Sequence, residues 1–260
     1  MPDGRSAMYA TERYRSIVER VVGFGRASVN DLADDLEVTP ETIRRDLSYL
    51  EKQGLVRRVH GGAVPVGRVA LEPTVDSRNA SFVSEKSDIA RAALAEIPQQ
   101  GAIIVDAGTT TARLLALIPS NYELTVITNS VEHAMAIADK PNINTLLVGG
   151  RVRSRTLACV DQWAVDALTG VYADVAILGT NGISLERGLT TPDPAEATVK
   201  RAMLTSARRK IVLADHSKFG DDHFANFGAL ADVDVVITDN KTDVEYIKQL
   251  GSVDVPVVIA

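Results

Sequence analysis

The stretch Val38-Thr39-Pro40-Glu41-Thr42-Ile43-Arg44-Arg45-Asp46-Leu47-Ser48-Tyr49-Leu50, with Leu55-Val56-Arg57-Arg58-Val59-His60-Gly61-Gly62-Ala63 close behind it, decides the fold of the first quarter of the chain. Thr39 can cap a helix, Pro40 suits the first helical position, where no amide hydrogen is needed, and Gly54 can end the helix in a left-handed turn. Ile43, Leu47 and Leu50 recur at helical spacing and pack inward. That leaves Glu41, Thr42, Arg44, Arg45 and Ser48 on or near the opposite surface, where two adjacent arginines suit phosphates and guanine edges. Residues 55–59 alternate toward a strand, and His60-Gly61-Gly62 supplies the permissive turn before Ala63-Val64-Pro65.

Upstream, residues 12–22 carry apolar positions at helical spacing. Val29-Asn30-Asp31-Leu32-Ala33-Asp34-Asp35-Leu36 reads as a short second helix with Asn30 as its cap. An isolated helix bearing two arginines is usually only a solvated face. Three helices followed by a basic, glycine-tipped hairpin are instead the parts of a winged helix-turn-helix, here residues 8–63. The charge is local: residues 1–62 hold 10 Lys/Arg against 10 Asp/Glu, whereas residues 42–60 hold five basic side chains against two acidic ones. A patch of that kind, with each neutralised phosphate adding about −0.9 to the log-log salt slope, binds weakly as a monomer and calls for a dimer.

The 260 residues are 45% hydrophobic and 24% charged, the balance of an ordinary globular chain with room for two unequal domains. The single cysteine, Cys159, excludes an internal disulfide framework and any cysteine-based zinc cluster, and reads as a buried spectator thiol in a reducing compartment. No apolar run reaches the roughly 18 to 20 residues that span a bilayer, and the start has no signal-peptide core, so the expected location is cytoplasmic, away from membranes. Residues 1–7 are polar and aperiodic and are expected to be disordered. Residues 64–84, with Pro65, Gly67 and Pro73, read as a linker, and residues 85–260 as the second domain.

In that second domain, apolar runs alternate with helical segments: residues 102–105, 124–127, 145–148, 175–178, 211–214, 233–237 and 255–259. Runs that are apolar on both faces indicate a buried, mostly parallel sheet, so the class is α/β. In an open parallel sheet the ligand crevice lies beyond the carboxyl ends of the strands, and those ends are polar here: Asp106-Ala107-Gly108-Thr109-Thr110-Thr111, Thr128-Asn129-Ser130, Gly149-Gly150-Arg151, Gly179-Thr180-Asn181-Gly182 and Asp215-His216-Ser217-Lys218. The first leads into a helix over about 110–117, so Gly108, Thr109, Thr110 and Thr111 can offer amides and hydroxyls to an anion at a helix N-terminus. Arg151 and Lys218 add charge, while Asp106, Asn129, Asn181 and Asp215 can bind sugar hydroxyls, which together point to a phosphorylated polyol. Spacing alone does not show which of these loops face one another.

The run Thr42-Ile43-Arg44-Arg45-Asp46-Leu47, with Leu50-Glu51 and His60-Gly61-Gly62-Ala63, resembles the signature of the DeoR family of bacterial transcriptional regulators. The resemblance continues over residues 85–239 through Asp106-Ala107-Gly108-Thr109-Thr110-Thr111, Thr128-Asn129-Ser130, Gly188-Leu189-Thr190-Thr191-Pro192 and Asp215-His216-Ser217-Lys218-Phe219-Gly220. It implies operator DNA as a partner, with Thr42, Arg44, Arg45 and Ser48 in the recognition role and Arg57, Arg58 and His60 as wing contacts. It also implies a sensor domain similar in fold to ribose-5-phosphate isomerase, whose phosphorylated sugar effector would meet Asp215, Lys218 and the loop at 108–111. A repressor of sugar uptake or catabolism, released by a sugar phosphate with fructose phosphates as the first guess, and a homodimer or homotetramer complete what the resemblance implies.

That isomerase likeness raises an enzyme alternative. Such chemistry needs a carboxylate base and a cation near the developing enediolate. Glu196 and Lys218 are candidates, but the loop where such isomerases place paired acids reads Gly179-Thr180-Asn181-Gly182, and Asn181 cannot act as a carboxylate. Asp193 and Glu196 read more simply as the acidic first turn of a helix running to about residue 206. No catalytic residue is therefore assigned. His60, His133, His216 and His223 lack metal-ligand spacing, and no complete dinucleotide fingerprint follows the first strand, so neither a metal nor a cofactor is expected.

Overall fold

A computed structural model describes residues 10–53, 55–65 and 74–260. Residues 1–7, expected to be a disordered tail, and Gly54, expected to end the recognition helix, lie outside them. The chain divides into two compact units, Met1–Ser81 and Phe82–Ala260.

The first unit runs α1 (Ala10–Phe24), β1 (Ala27–Ser28), α2 (Val29–Asp35), α3 (Pro40–Lys52), β2 (Val56–Val59), β3 (Gly62–Pro65) and α4 (Val75–Ala80). Thr39 caps α3 by accepting from the Thr42 amide, and Pro40 fills its first turn. The cap of α2 is Ser28 rather than Asn30: the Ser28 hydroxyl oxygen accepts from the Asp31 amide at 3.1 Å, leaving Asn30 exposed within the first turn. A serine in extended conformation one residue before the helix reaches its third amide, which a residue already inside the helix does not. Ile17, Val21, Leu32, Ile43, Leu47, Leu50 and Val56 close the core.

The three strands order β1-β3-β2, with β3 antiparallel to both neighbours. The Gly61-Gly62 pair has two separate physical duties. Gly61 takes φ +75 at the hairpin tip. A Cβ on Gly62 would overlap the Ala27 carbonyl oxygen of β1, so only a bare backbone lets the third strand join. Residues 64–84, read as a linker, hold the end of β3, α4 capped by Thr74, and the start of the next helix. A six-residue helix is too short to announce itself by periodicity.

The second unit runs α5 (Val83–Leu94), β4 (Gln100–Val105), α6 (Thr109–Leu117), β5 (Glu123–Thr128), α7 (Val131–Ile137), β6 (Ile143–Leu147), β7 (Arg151–Val152), β8 (Cys159–Val160), α8 (Gln162–Thr169), β9 (Ala173–Gly179), β10 (Gly182–Ser184), β11 (Gly188–Thr191), α9 (Pro194–Thr205), β12 (Ala207–Leu213), β13 (Ala225–Gly228), β14 (Val235–Thr238), α10 (Val244–Gly251) and β15 (Val257–Ile259). The main sheet has seven strands in the order β15-β14-β12-β9-β4-β5-β6, and every pairing in it is parallel. Two small antiparallel sheets, β10-β11-β13 and β7-β8, accompany it. One face buries Ile103, Val105, Leu114, Val126 and Ile177, and the other Ile104, Ile127, Leu178, Met203 and Val212. The chain leaves β4 toward β5 and β6 on one side, then returns to lay β9 and β12 on the other. The order therefore reverses between β4 and β9, the topological switch point where a doubly wound sheet opens its crevice.

Candidate DNA interface and ligand crevice

In the first unit the residues expected to meet DNA lie on α3, on β2 and at the tip of the hairpin. Arg44, Arg45, Arg57, Arg58 and His60 are exposed, and Thr42 and Ser48 are half-buried. The wing is fastened to the helix: Arg58 donates from Nη1 to Ser48 Oγ at 2.9 Å and from its amide to Glu51 Oε1 at 2.8 Å, while Ser48 Oγ donates to the Arg44 carbonyl at 2.8 Å. Thr42 is engaged with Thr39, their hydroxyl oxygens 2.9 Å apart. Arg44 lies 3.3 Å from Glu41, a solvated pair of small energetic weight. In this unit sequence reasoning missed the role of Asp46. It is only 4% exposed and accepts from Arg13 Nε at 2.5 Å and Nη2 at 3.1 Å, tying α1 to α3. Its signal was its position, three residues after Ile43 and four before Leu50 on the inward stripe.

In the second unit the switch point is closed by a buried ion pair. Asp106, at the end of β4, accepts from Lys200 of α9 and from the Gly179 amide at 3.1 Å, and Lys200 also donates to the Gly179 carbonyl at 3.0 Å. Burial pushes the Asp106 carboxyl up, against the pull of Lys200, and its Oδ1 is buried without a hydrogen-bond partner. Asn129 is buried, its Oδ1 accepting from the Ala107 amide at 2.9 Å, so it fixes the loop. Thr111 is buried and donates to the Asp106 carbonyl at 2.7 Å. Gly108 begins α6 with no side-chain cap, so the amides of Thr109, Thr110 and Thr111 are the unsatisfied donors of a helix start. Its carbonyl lies 3.1 Å from His133 Nε2. Burial pulls His133 down to about 4, which keeps the ring neutral.

Asp215 stands at the end of β12, fully buried. Burial pushes its carboxyl up, but Lys218, the Ser217 hydroxyl, Lys86 and His216 together hold it below the ordinary carboxylate range. His216 lies 3.0 Å from Asp239 at the end of β14. Burial works against the charged ring, and Asp239 nonetheless holds it above its ordinary value. The 215–223 loop meets β10 through the Gly220 amide to the Ile183 carbonyl at 2.9 Å and the β9–β10 loop through His223 Nε2, 3.2 Å from the Asn181 carbonyl. Asn181 Oδ1 accepts from Thr191 at 3.1 Å. The loops after β4, β5, β9 and β12 are thus cross-linked to one another at the carboxyl end of the sheet. Arg151 stands apart: exposed on β7, it pairs with Asp161 at 2.7 Å.

Glu196, the candidate base, is buried beneath Arg153 Nη1 and the Thr156 hydroxyl, each at 2.5 Å, and Asp193 caps α9. Lys200, Arg153 and Asp239 were not singled out from sequence, because each sits inside a helix or loop whose neighbours are unremarkable, and His133 was weighed only as a metal ligand. Cys159 is buried, which raises its thiol pKa. Among the described residues no group of three or more His, Cys, Asp or Glu could hold a metal ion, and no helix is long and apolar enough to cross a membrane.

A winged helix-turn-helix with a local basic patch, joined to a doubly wound domain with polar strand ends, defines a two-domain transcriptional regulator. Residues 13–68 match the DeoR-like helix-turn-helix domain and residues 81–240 the DeoR C terminal sensor domain. The chain belongs to the DeoR family. It is 37% identical to the HTH-type transcriptional regulator GlpR of Haloferax volcanii over 96% of this chain and 98% of that one. It is 34% identical to the glycerol-3-phosphate regulon repressor of Escherichia coli over 89% and 92%. Among solved structures, ribose 5-phosphate isomerase A from Methanocaldococcus jannaschii is 18% identical with a TM-score of 0.40, covering 54% of this chain and 55% of that one.

Proposed function

We propose that this chain is a cytoplasmic repressor, released from operator DNA by a phosphorylated sugar or polyol held at the carboxyl ends of β4, β9 and β12. The observation that carries this reading is the uncapped start of α6 at the switch point, within a crevice whose rim includes the half-buried Lys218. The amides of Thr109, Thr110 and Thr111 meet the phosphate and Lys218 adds charge. Asp106, Asn129, Thr111 and Asp215 hold the loops in place rather than reaching the ligand first. The name of the Escherichia coli relative, a glycerol-3-phosphate regulon repressor, supports the same ligand class. Binding at the crevice rather than turnover fits Glu196, whose carboxylate is engaged by Arg153 and Thr156.

Operator and effector binding are mutually antagonistic, with a coupling of about 1 to 3 kcal/mol, or roughly 5 to 150-fold in affinity. The test is fluorescence anisotropy with DNA from the region upstream of the chain's own gene, challenged with sugar phosphates, including fructose phosphates, and with their unphosphorylated parents. Release by one phosphate ester, lost in Lys218→Ala while DNA binding persists, is expected. Specific DNA binding indifferent to every phosphate ester removes the effector reading. Turnover of a sugar phosphate in the same tubes replaces it with the isomerase.

A further inference from the structure

Two residues separate the last helix of the first unit from the first helix of the second: α4 ends at Ala80 and α5 begins at Val83. Ser81 is extended, its Oγ donating back to the Ser77 carbonyl at 2.9 Å, and Phe82 takes the left-handed conformation with φ 53 and ψ 44. A bulky residue persists at positive φ only where its surroundings over-determine it. The Phe82 ring supplies that hold by meeting the His216 ring edge-on, with centroids 5.1 Å apart.

His216 opens the single 3-10 turn His216–Lys218 after β12. In so short a turn, a shift of Lys218 toward a phosphate carries His216 with it. The rest of the first turn of α5 grips the same place. Glu85 and Lys86 are both buried there, which is uncommon for charged side chains. Glu85 accepts from Lys241 Nζ at 2.6 Å, and the Lys241 amide donates to Asp239 Oδ1 at 2.9 Å. Asp239 in turn accepts from the His216 amide at 2.8 Å. Burial works against both charges, yet Lys86 joins the groups that hold Asp215 low, and Glu85 those that hold His216 high. Within the first unit, α4 lies against α1, and Arg13 of α1 is paired with Asp46 of α3.

We propose that Phe82 is the relay of this regulator: a phosphate ester drawn to Lys218 moves His216, the Phe82 ring follows, and the start of α5 and the end of α4 shift together. The shift then passes through α1 to the recognition helix. The proposal rests on the effector reading and adds the route by which an occupied site is felt at the DNA. Coupling of this kind needs packed side chains and stiff elements in unbroken sequence. A long flexible linker would absorb the movement, whereas a two-residue joint between helices transmits it.

Phe82→Gly removes the ring and suits a left-handed backbone, so the fold is spared. Phe82→Tyr keeps the ring. Two glycines inserted between Ser81 and Phe82 lengthen the joint and leave every side chain in place. Each full-length protein is titrated with DNA from the region upstream of its gene, with and without saturating glycerol 3-phosphate or fructose 1-phosphate, and with each ester alone. The parent and Phe82→Tyr are expected to lose operator affinity about 5 to 150-fold when the ester is present. Phe82→Gly and the inserted chain lose less than about 2-fold, while their affinities for DNA alone and ester alone stay within about 3-fold of the parent. Parent-like release of either altered protein overturns the relay. So does a Phe82→Gly chain that no longer binds the ester, since Phe82 then belongs to the ligand site. If Phe82→Gly fails to fold, the inserted chain decides.

Amide hydrogen exchange separates the relay from the effector reading. Linkage is reciprocal, so operator DNA alone must alter exchange over residues 213–220 in the parent and not in the inserted chain or Phe82→Gly. If neither ester releases the parent, the effector reading fails and the exchange result decides the relay. Unaltered exchange in the parent overturns it.

Discussion

The two units use charge in opposite ways. On α3 and the wing, Arg44, Arg45, Arg57 and Arg58 are exposed to water, Arg58 also holding Ser48, whereas at the carboxyl end of the sheet Asp106, Lys200 and Asp215 are nearly or wholly buried. A surface that must meet phosphates keeps its cations solvated and lets counterion release drive binding. A crevice that must hold several loops in register spends its charges on one another. The first arrangement is tolerant of substitution and sensitive to salt, and the second is the reverse.

The largest effect that would break this contrast is at the switch point. Lys200→Met leaves Asp106 buried without its cation and is expected to destabilise the second unit by about 3 kcal/mol, the lower end for a broken buried pair because Asp106 can take up a proton. Adding Asp106→Asn should recover most of that loss, and thermal unfolding of the single and double variants measures both. A Lys200→Met protein that melts like the parent would show that the pair is not structural.

Next, Arg44→Ala with Arg45→Ala is expected to weaken operator binding about 100-fold and to lower the magnitude of the log-log salt slope by about 2, without moving the melting temperature. A salt titration by anisotropy gives both numbers. An unchanged slope would take these two arginines off the DNA.

The histidines of the second unit sharpen the comparison by sign. His133 is neutral in the fold, with a value of about 4 against an ordinary 6.5, so as pH falls below about 6.5 the unfolded chain takes the proton first. Stability declines from there to about pH 4, by about 2 kcal/mol at pH 5, and then levels. His133→Gln should flatten that decline in denaturant titrations at pH 7 and pH 5. His216 runs the other way: its pairing with Asp239 is fully present below pH 6.5 and fades as pH rises through its raised value. The smallest effect is Thr39→Ala, which removes the cap of α3 at about 1 kcal/mol, visible as a lower denaturation midpoint for the first unit.

Much of the architecture was legible because it rests on local chemistry. Thr39-Pro40 marks the start of α3 by capping and by proline's missing amide, and the Ile/Val-rich runs mark strands buried on both faces. What the sequence concealed was pairing across distance. Nothing near Lys200 announces Asp106, 94 positions away, nor does anything near Arg13 announce Asp46. Asn30 and Ser28 are both good caps, and only the extended backbone at Ser28 decides between them. In the crevice the polar strand ends were readable as a set. Their division into residues that hold loops, such as Asn129 and Thr111, and residues left near the opening, such as Thr110 and Lys218, depends on side-chain burial that spacing does not encode.

The wing strand β3 lies between β2 and β1, and Ser28, paired with Gly62, is also the residue that caps α2. A wing fastened in this way cannot swing on its own, since lifting it would tear a ladder and uncap a helix together. The first unit therefore works as a fixed-jaw calliper, with α3 as one jaw and the His60-Gly61 tip as the other. Operator binding is therefore expected to depend on groove width as well as on base contacts.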